Sequence, residues 1–150
     1  MKGPASADGR AVLDVSFFQT NFSTPEHKTD IKRDQKMKEF SNEIKSVFEG
    51  LLILELYPKS QIDLQIFVLE SDGGARSAAF NAATLALVDA GIPMRDFLVS
   101  STSGLLGQVP VLDLILSEEK KQNCEFVVCH ESKSQKIAFL SLSCNKLKSE

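Results

Sequence analysis

The stretch from Ile62 to Pro93 constrains the fold more than any other part of the chain, because it reads as strand, glycine turn and helix in succession. Ile62, Leu64, Ile66 and Val68 alternate with Asp63 and Gln65, the period of a strand with one buried face, and Glu70-Ser71-Asp72 ends it. Gly73 and Gly74 let the backbone turn sharply and approach a ligand. Beyond them an alanine-rich segment carries Phe80, Ala83, Leu87 and Val88 at helical spacing and stops at Gly91 and Pro93, a C-cap followed by a residue that cannot continue the helix. Arg76 falls in the first turn of that helix, where N–H groups without a helical partner favour an anion. Strand end, turn and arginine together make a candidate phosphate site. The plainer alternative for Arg76 is an exposed arginine at a helix start.

The rest of the chain reads as one α/β domain over residues 1–150, with a Gly/Pro/Ser-rich and flexible start from Met1 to Arg10. Ala11 to Phe18 is a strand carrying Val12, Leu13, Val15, Phe17 and Phe18. The spacing predicts a helix from Asp34 to Tyr57, with Phe40, Ile44, Val47, Phe48 and Leu51 on one face, ended by Pro58. Four strand-like runs follow, at Phe97 to Ser101, Val109 to Leu116, Glu125 to His130 and Ile137 to Ser143. The net charge of -3 advertises no global basic field, so any nucleic-acid contact must be local. Cys124, Cys129 and Cys144 have no C-x-x-C spacing and are expected to be reduced, buried thiols of an intracellular protein. No secretory segment opens the sequence and no apolar run approaches about 18 residues, so neither export nor a membrane partner is expected. His27 and His130 lack a second His or Cys at a ligand spacing, so no metal site is expected.

Read as one string, LESDGGARSAAFNAATLALVDAGIPMRDF (Leu69 to Phe97) resembles the signature of the RNase PH family, and its exosome-subunit branch most of all. NFSTPEHK (Asn21 to Lys28) resembles the family's F-S-T-x-E-R-K segment, and LELYPKSQIDLQIFVLE (Leu54 to Glu70) resembles its helix end, P-x-S-Q-I-D turn and central strand. TSGLLGQVPVLDL (Thr102 to Leu114) resembles its S-x-G loop and the strand ending in L-D-L. The resemblance implies an α+β class: the βαβα two-layer fold of the RNase PH type, ribosomal protein S5 domain 2-like. It further implies that the family's opening hairpin and terminal helices are missing from this sequence, leaving Ile137, Phe139 and Leu142 exposed.

What the resemblance implies about chemistry is phosphorolysis, in which inorganic phosphate attacks the 3'-terminal phosphodiester of RNA and releases a nucleoside diphosphate. The family's G-G-x-R arginine, a phosphate ligand, falls on Arg76, and its S-x-G loop falls on Thr102, Ser103 and Gly104, with threonine in place of serine. For that loop a plain turn is the alternative. The two aspartates of active members fall on Glu119 and Glu125, where the extra methylene shifts each carboxylate by on the order of 1 Å. SEEKKQN (Ser117 to Asn123) also reads as a charged, solvated hairpin. RNA-binding candidates are His27, Lys28, Lys32, Arg33 and Lys36, although His27 and Gln35 stand where the family has arginines, and a solvated loop is the alternative. The implied partners are RNA, other RNase PH-type exosome subunits in a hetero-hexameric ring, S1/KH cap subunits and associated nucleases, in nucleus, nucleolus and cytoplasm. Mg2+ and inorganic phosphate are expected only if the chain is active. On this reading the chain is a non-catalytic or weakly catalytic ring subunit, and the alternative is an active phosphate-dependent 3'-to-5' exoribonuclease.

Overall fold

The structure is a computed structural model that describes residues 9–20, 23 and 31–144, with backbone alone for 31–34. The elements run β1 (Val12–Gln19), α1 (Ile31–Leu51), β2 (Gln61–Val68), α2 (Ala75–Asp89), β3 (Leu98–Leu106), β4 (Val109–Leu112), α3 (Leu116–Glu119), β5 (Cys124–Glu131) and β6 (Ile137–Cys144), with a 3-10 turn at Leu54–Leu56. The first four give the βαβα order. The chain forms two compact units, one from the residues up to Leu69 with Ala86–Arg95, the other from Glu70–Leu85 with the residues from Asp96 onward.

In the first unit β1 and β2 pair in parallel from Val12↔Gln61 to Gln19↔Val68. Their alternation buries Leu13, Val15, Leu64 and Ile66, and the 3.6-residue period of α1 buries Phe40, Ile44, Phe48 and Leu51. Phe17 meets Phe40 edge-on at 4.9 Å, and the Phe17 N–H donates to Ser41 Oγ at 3.1 Å. On the other face of the strand pair, Phe18 and Phe67 stack on each other at 5.1 Å and remain exposed. The helix expected to reach Tyr57 stops at Leu51. Arg95 N–H takes the Leu51 carbonyl and Ile53 N–H takes the Pro93 carbonyl, drawing the chain into a bridge of Leu52 with Met94 before Pro58 intervenes. The end of α2 is a Schellman cap: Gly91, at φ 68°, donates to the Val88 carbonyl, and Ile92 donates to the Leu87 carbonyl. Val88, expected on the buried face, is exposed.

The second unit is an antiparallel sheet of order β4-β3-β5-β6. One face buries Leu98, Val127 and Cys129 with Ala79, Phe80 and Ala83 of α2. Phe139, expected to be exposed, is half-buried, its ring 5.4 Å from Phe80, whereas Ile137, Leu140 and Leu142 do face solvent. Asn81 fastens α2 to β3: its Nδ2 donates to the Ser100 carbonyl at 2.9 Å and its Oδ1 accepts the Ser100 N–H at 2.8 Å. Ser100 lies where β3 has no β4 neighbour, so the side-chain amide stands in for a strand. Asp96 accepts N–H groups from Phe97, Lys133 and Ser134, closing the turn between β5 and β6.

The cysteine expectation fails at two positions. Cys124 and Cys144 are opposite one another in the β5–β6 register, with Cα atoms 4.0 Å apart, and form a disulfide. Cys129 alone is a free, buried thiol, donating to Ser100 Oγ at 3.3 Å. Strand register, which no Cys spacing encodes, makes the difference.

Candidate phosphate site

The site belongs wholly to the second unit and begins with backbone geometry. Gly73 has φ 112° and Gly74 φ 61°, a region that L side chains rarely adopt. A Cβ on Gly73 would meet the Leu114 carbonyl oxygen at 2.0 Å, so the turn lies directly against the Leu114-Ile115 backbone. Leu116 N–H donates to the Asp72 carbonyl at 2.8 Å, and Asp113 N–H donates to the Thr102 carbonyl at 3.1 Å. The L-D-L segment is thereby tied both to the glycine turn and to β3.

Gly74 is the N-cap of α2, its carbonyl accepting Ala78 N–H at 3.1 Å and the Ser77 hydroxyl at 2.9 Å. Its own N–H donates to Glu119 Oε1 at 2.9 Å. In a capping box the residue at the third helical position supplies that carboxylate. Here Ser77 holds the position and Glu119 supplies the carboxylate instead. Glu118, the other acid of the expected solvated hairpin, turns back to accept Ile115 N–H at 3.2 Å, and Ser117–Asn123 holds the end of α3 and a turn at Lys120-Lys121 rather than a hairpin.

Arg76 is half-buried and donates from Nη1 to Ser141 Oγ at 3.4 Å. Glu125 lies within electrostatic reach of it. Burial pushes the Glu125 carboxyl above its ordinary range, the Glu119 charge adds to this, and Arg76 opposes both. Burial also raises the Cys129 thiol, against the Ser100 hydrogen bond and Arg76. Glu119, Glu125 and Ser143, with Leu116, Lys120 and Gln122, line an open pocket of about 280 Å³. Arg76, Glu119 and Glu125 are thus brought into one neighbourhood.

Thr102, Ser103 and Gly104 lie inside β3, not in a loop, with β5 along all three and β4 along Ser103 and Gly104. Strand alternation sends Thr102 to the buried face with Leu98, Ser100 and Gly104 and sends Ser103 to the opposite one. Both faces of this segment thus carry a hydroxyl, and the one turned to the buried face is that of Thr102. It is 3% exposed as a residue, and its Oγ1 has no hydrogen-bond partner among the described residues. A Cβ on Gly104 would meet Leu114 Cδ1 at 2.1 Å, which explains glycine there by packing rather than by a turn.

His27 and Lys28 lie outside the described residues, as do the side chains of Lys32 and Arg33, whose backbone belongs to α1. Lys36 is exposed on α1 in the first unit. No group of three or more His, Cys, Asp or Glu side chains that could hold a metal ion occurs among the described residues. No helix among them is long and apolar enough to cross a membrane.

Sequence reasoning passed over Ser141 and Ser143, which reach the site from β6. The signal for them is the alternation of Ser141 and Ser143 with Leu140 and Leu142, a small polar face opposite an apolar one.

The RNase PH family, described as the 3' exoribonuclease family, domain 1, matches residues 2–93. The chain is 39% identical over 141 residues to the exosome complex component RRP41 homolog of Arabidopsis thaliana, covering 94% of this chain and 58% of that protein. It is 36% identical over 133 residues to exosome complex component RRP41 of Homo sapiens, covering 89% and 54%. The chain therefore spans little more than half the length of these curated relatives. The fold is shared with a chain of the Archaeoglobus fulgidus exosome solved with RNA bound to the active site, at a TM-score of 0.77 and 19% identity, covering 97% of this chain and 65% of that one. With the family matched over more than half of its residues, this chain belongs to the RNase PH family of 3' exoribonucleases.

Proposed function

We propose that this chain acts as an RRP41-type subunit of an exosome core, helping to build the RNase PH-type ring and its RNA channel, while contributing little phosphorolysis itself. The observation that carries this reading is the hydrogen bond from Gly74 N–H to Glu119 Oε1. The carboxylate at the position of a family aspartate serves as a helix cap, and a group held in that role is poorly placed to deliver a proton or a metal to a leaving oxygen. The anion end fares better. Arg76, the first turn of α2 and the buried Thr102 hydroxyl together favour inorganic phosphate.

The identity to exosome components supports the further expectations: RNA as ligand, other RNase PH-type subunits in a hetero-hexameric ring, S1/KH cap subunits, associated nucleases, and residence in nucleus, nucleolus and cytoplasm. His27, Lys28, Lys32, Arg33 and Lys36 are the proposed RNA contacts. The second reading, an active phosphate-dependent 3'-to-5' exoribonuclease using Mg2+, is favoured by the proximity of Arg76 to Glu125 and by the raised proton affinity of Glu125, which suits a general acid.

The test is to incubate the assembled ring, free of added nucleases, with RNA, magnesium and phosphate. Background release of nucleoside diphosphates is expected. Robust release that Arg76→Ala abolishes would sink the structural-subunit reading. If only the Glu119→Asp/Glu125→Asp variant gains activity, carboxylate placement is the defect.

A further inference from the structure

We infer that Glu119 is the resident anion of the α2 N-terminus and that inorganic phosphate can bind there only by displacing it. The inference rests on the reading of the Arg76 end of α2 as a phosphate site. Three observations carry it. First, the N-cap amide of α2 is already taken by a carboxylate from 45 positions along the chain, at 2.9 Å. Second, that carboxylate is delivered by a fixed arm: Leu116 is bonded to the Asp72 carbonyl and Leu114 is packed against Gly73, so α3 starts at the glycine turn and carries Glu119 back to Gly74. Third, the ligand side is unfinished. Thr102 keeps a buried hydroxyl without a partner, on the β3 face where α2 is fastened through Asn81 and Ser100.

The chemistry is a competition between two anions for one set of donors. A carboxylate on the N-cap amide satisfies that donor and offsets the positive end of the helix, so phosphate arriving beside Arg76 meets less positive potential and a like charge. Glu125 adds a second carboxylate within reach of the same arginine. An aspartate in place of Glu119 falls one methylene short of the Gly74 amide. The glutamate at this position therefore sets phosphate affinity as well as weakening the acid, making Glu119 a positioning residue that acts through Gly74.

The experiment is a titration of the full chain with inorganic phosphate, followed by calorimetry and by the Gly74 amide resonance. The set comprises the unmodified protein, Glu119→Gln, Glu119→Ala, Glu119→Asp and Arg76→Ala, with Arg76→Ala also combined with Glu119→Gln. Both neutral variants should bind phosphate at least about tenfold more tightly than the unmodified chain, from the usual strength of charged hydrogen bonds and helix-end charges. Glu119→Asp should fall between, and Arg76→Ala should weaken binding in either background. The Gly74 resonance should move on phosphate addition in the unmodified chain, and should start from a different position in Glu119→Ala. Equal affinity across the Glu119 series, with Arg76→Ala still weakening binding, overturns the competition and leaves the phosphate site standing. No effect of Arg76→Ala in either background removes the phosphate site and the competition together.

Discussion

The glycine turn at the head of α2 and the acid pair on α3 and β5 lie in one unit, yet their residues are dictated in opposite ways. At Gly73 the backbone decides: φ is 112° and a Cβ would lie 2.0 Å from the Leu114 carbonyl oxygen. At Glu119 and Glu125 reach and charge decide, since one carboxylate is held by a single amide and the other is poised between Glu119 and Arg76. The difference teaches that the scaffold of a phosphate site and its chemistry can vary independently, because each rests on a different part of the residue.

The strongest way to break this contrast is to exchange the two kinds of residue for alanine. Gly73→Ala should lower the unfolding free energy by about 3 kcal/mol, through strain and overlap with backbone that has nowhere to go. Glu119→Ala should lower it by about 1 kcal/mol, the usual value of a cap. Denaturant melts of both variants measure this, and equal losses would remove the distinction.

Next in size is Asn81→Ala, which strips two backbone groups of Ser100 of their partners. About 2 kcal/mol should be lost. Retained stability in a chemical melt would mean that α2 is held to β3 by apolar packing alone.

The smallest effect is one of pH, and it sets Glu125 against Asp96. The Asp96 carboxyl lies below its usual range, chiefly through the Ser134 N–H, with help from those of Lys133 and Phe97, against the opposing effect of burial. Its contribution to stability is present above the ordinary aspartate value and is lost as the pH falls through the lowered one. Glu125, raised, works the other way: its contribution is present below the ordinary glutamate value and is lost as the pH rises through the raised one. Thermal melts across the acid range should therefore show Glu125→Gln gaining on the unmodified chain at neutral pH but not at low pH. Asp96→Asn should lose at neutral pH and converge with the unmodified chain at low pH. Parallel curves for all three proteins would show that neither carboxylate is perturbed.

Much of the scaffold was legible in the sequence because it rests on local patterns. The alternation in β2, the glycine turn and the Gly91 cap each declare themselves within a few residues. What failed depends on distant partners. The end of α1 is set by Pro93 and Arg95, more than 40 positions on, and the Cys124–Cys144 pair is set by strand register. The S-x-G likeness puts a loop at Thr102 to Gly104 where the structure has β3, and the inward side of the strand there, Ser100, Thr102 and Gly104, carries no hydrophobic alternation to correct it. In the candidate site the residue types came from family likeness. That Glu119 closes on Gly74 is a matter of three-dimensional proximity that no local spacing expresses.

The contact between Gly73 and Leu114 has a genetic consequence. The atom facing Gly73 is a main-chain oxygen, which every residue possesses, so exchanging Leu114 for a smaller side chain leaves the obstruction in place. A Gly73 substitution should therefore have no suppressor among the side chains around it. Revertants should restore glycine itself, or change the length of the segment between Leu112 and Leu116 so that the carbonyl moves away.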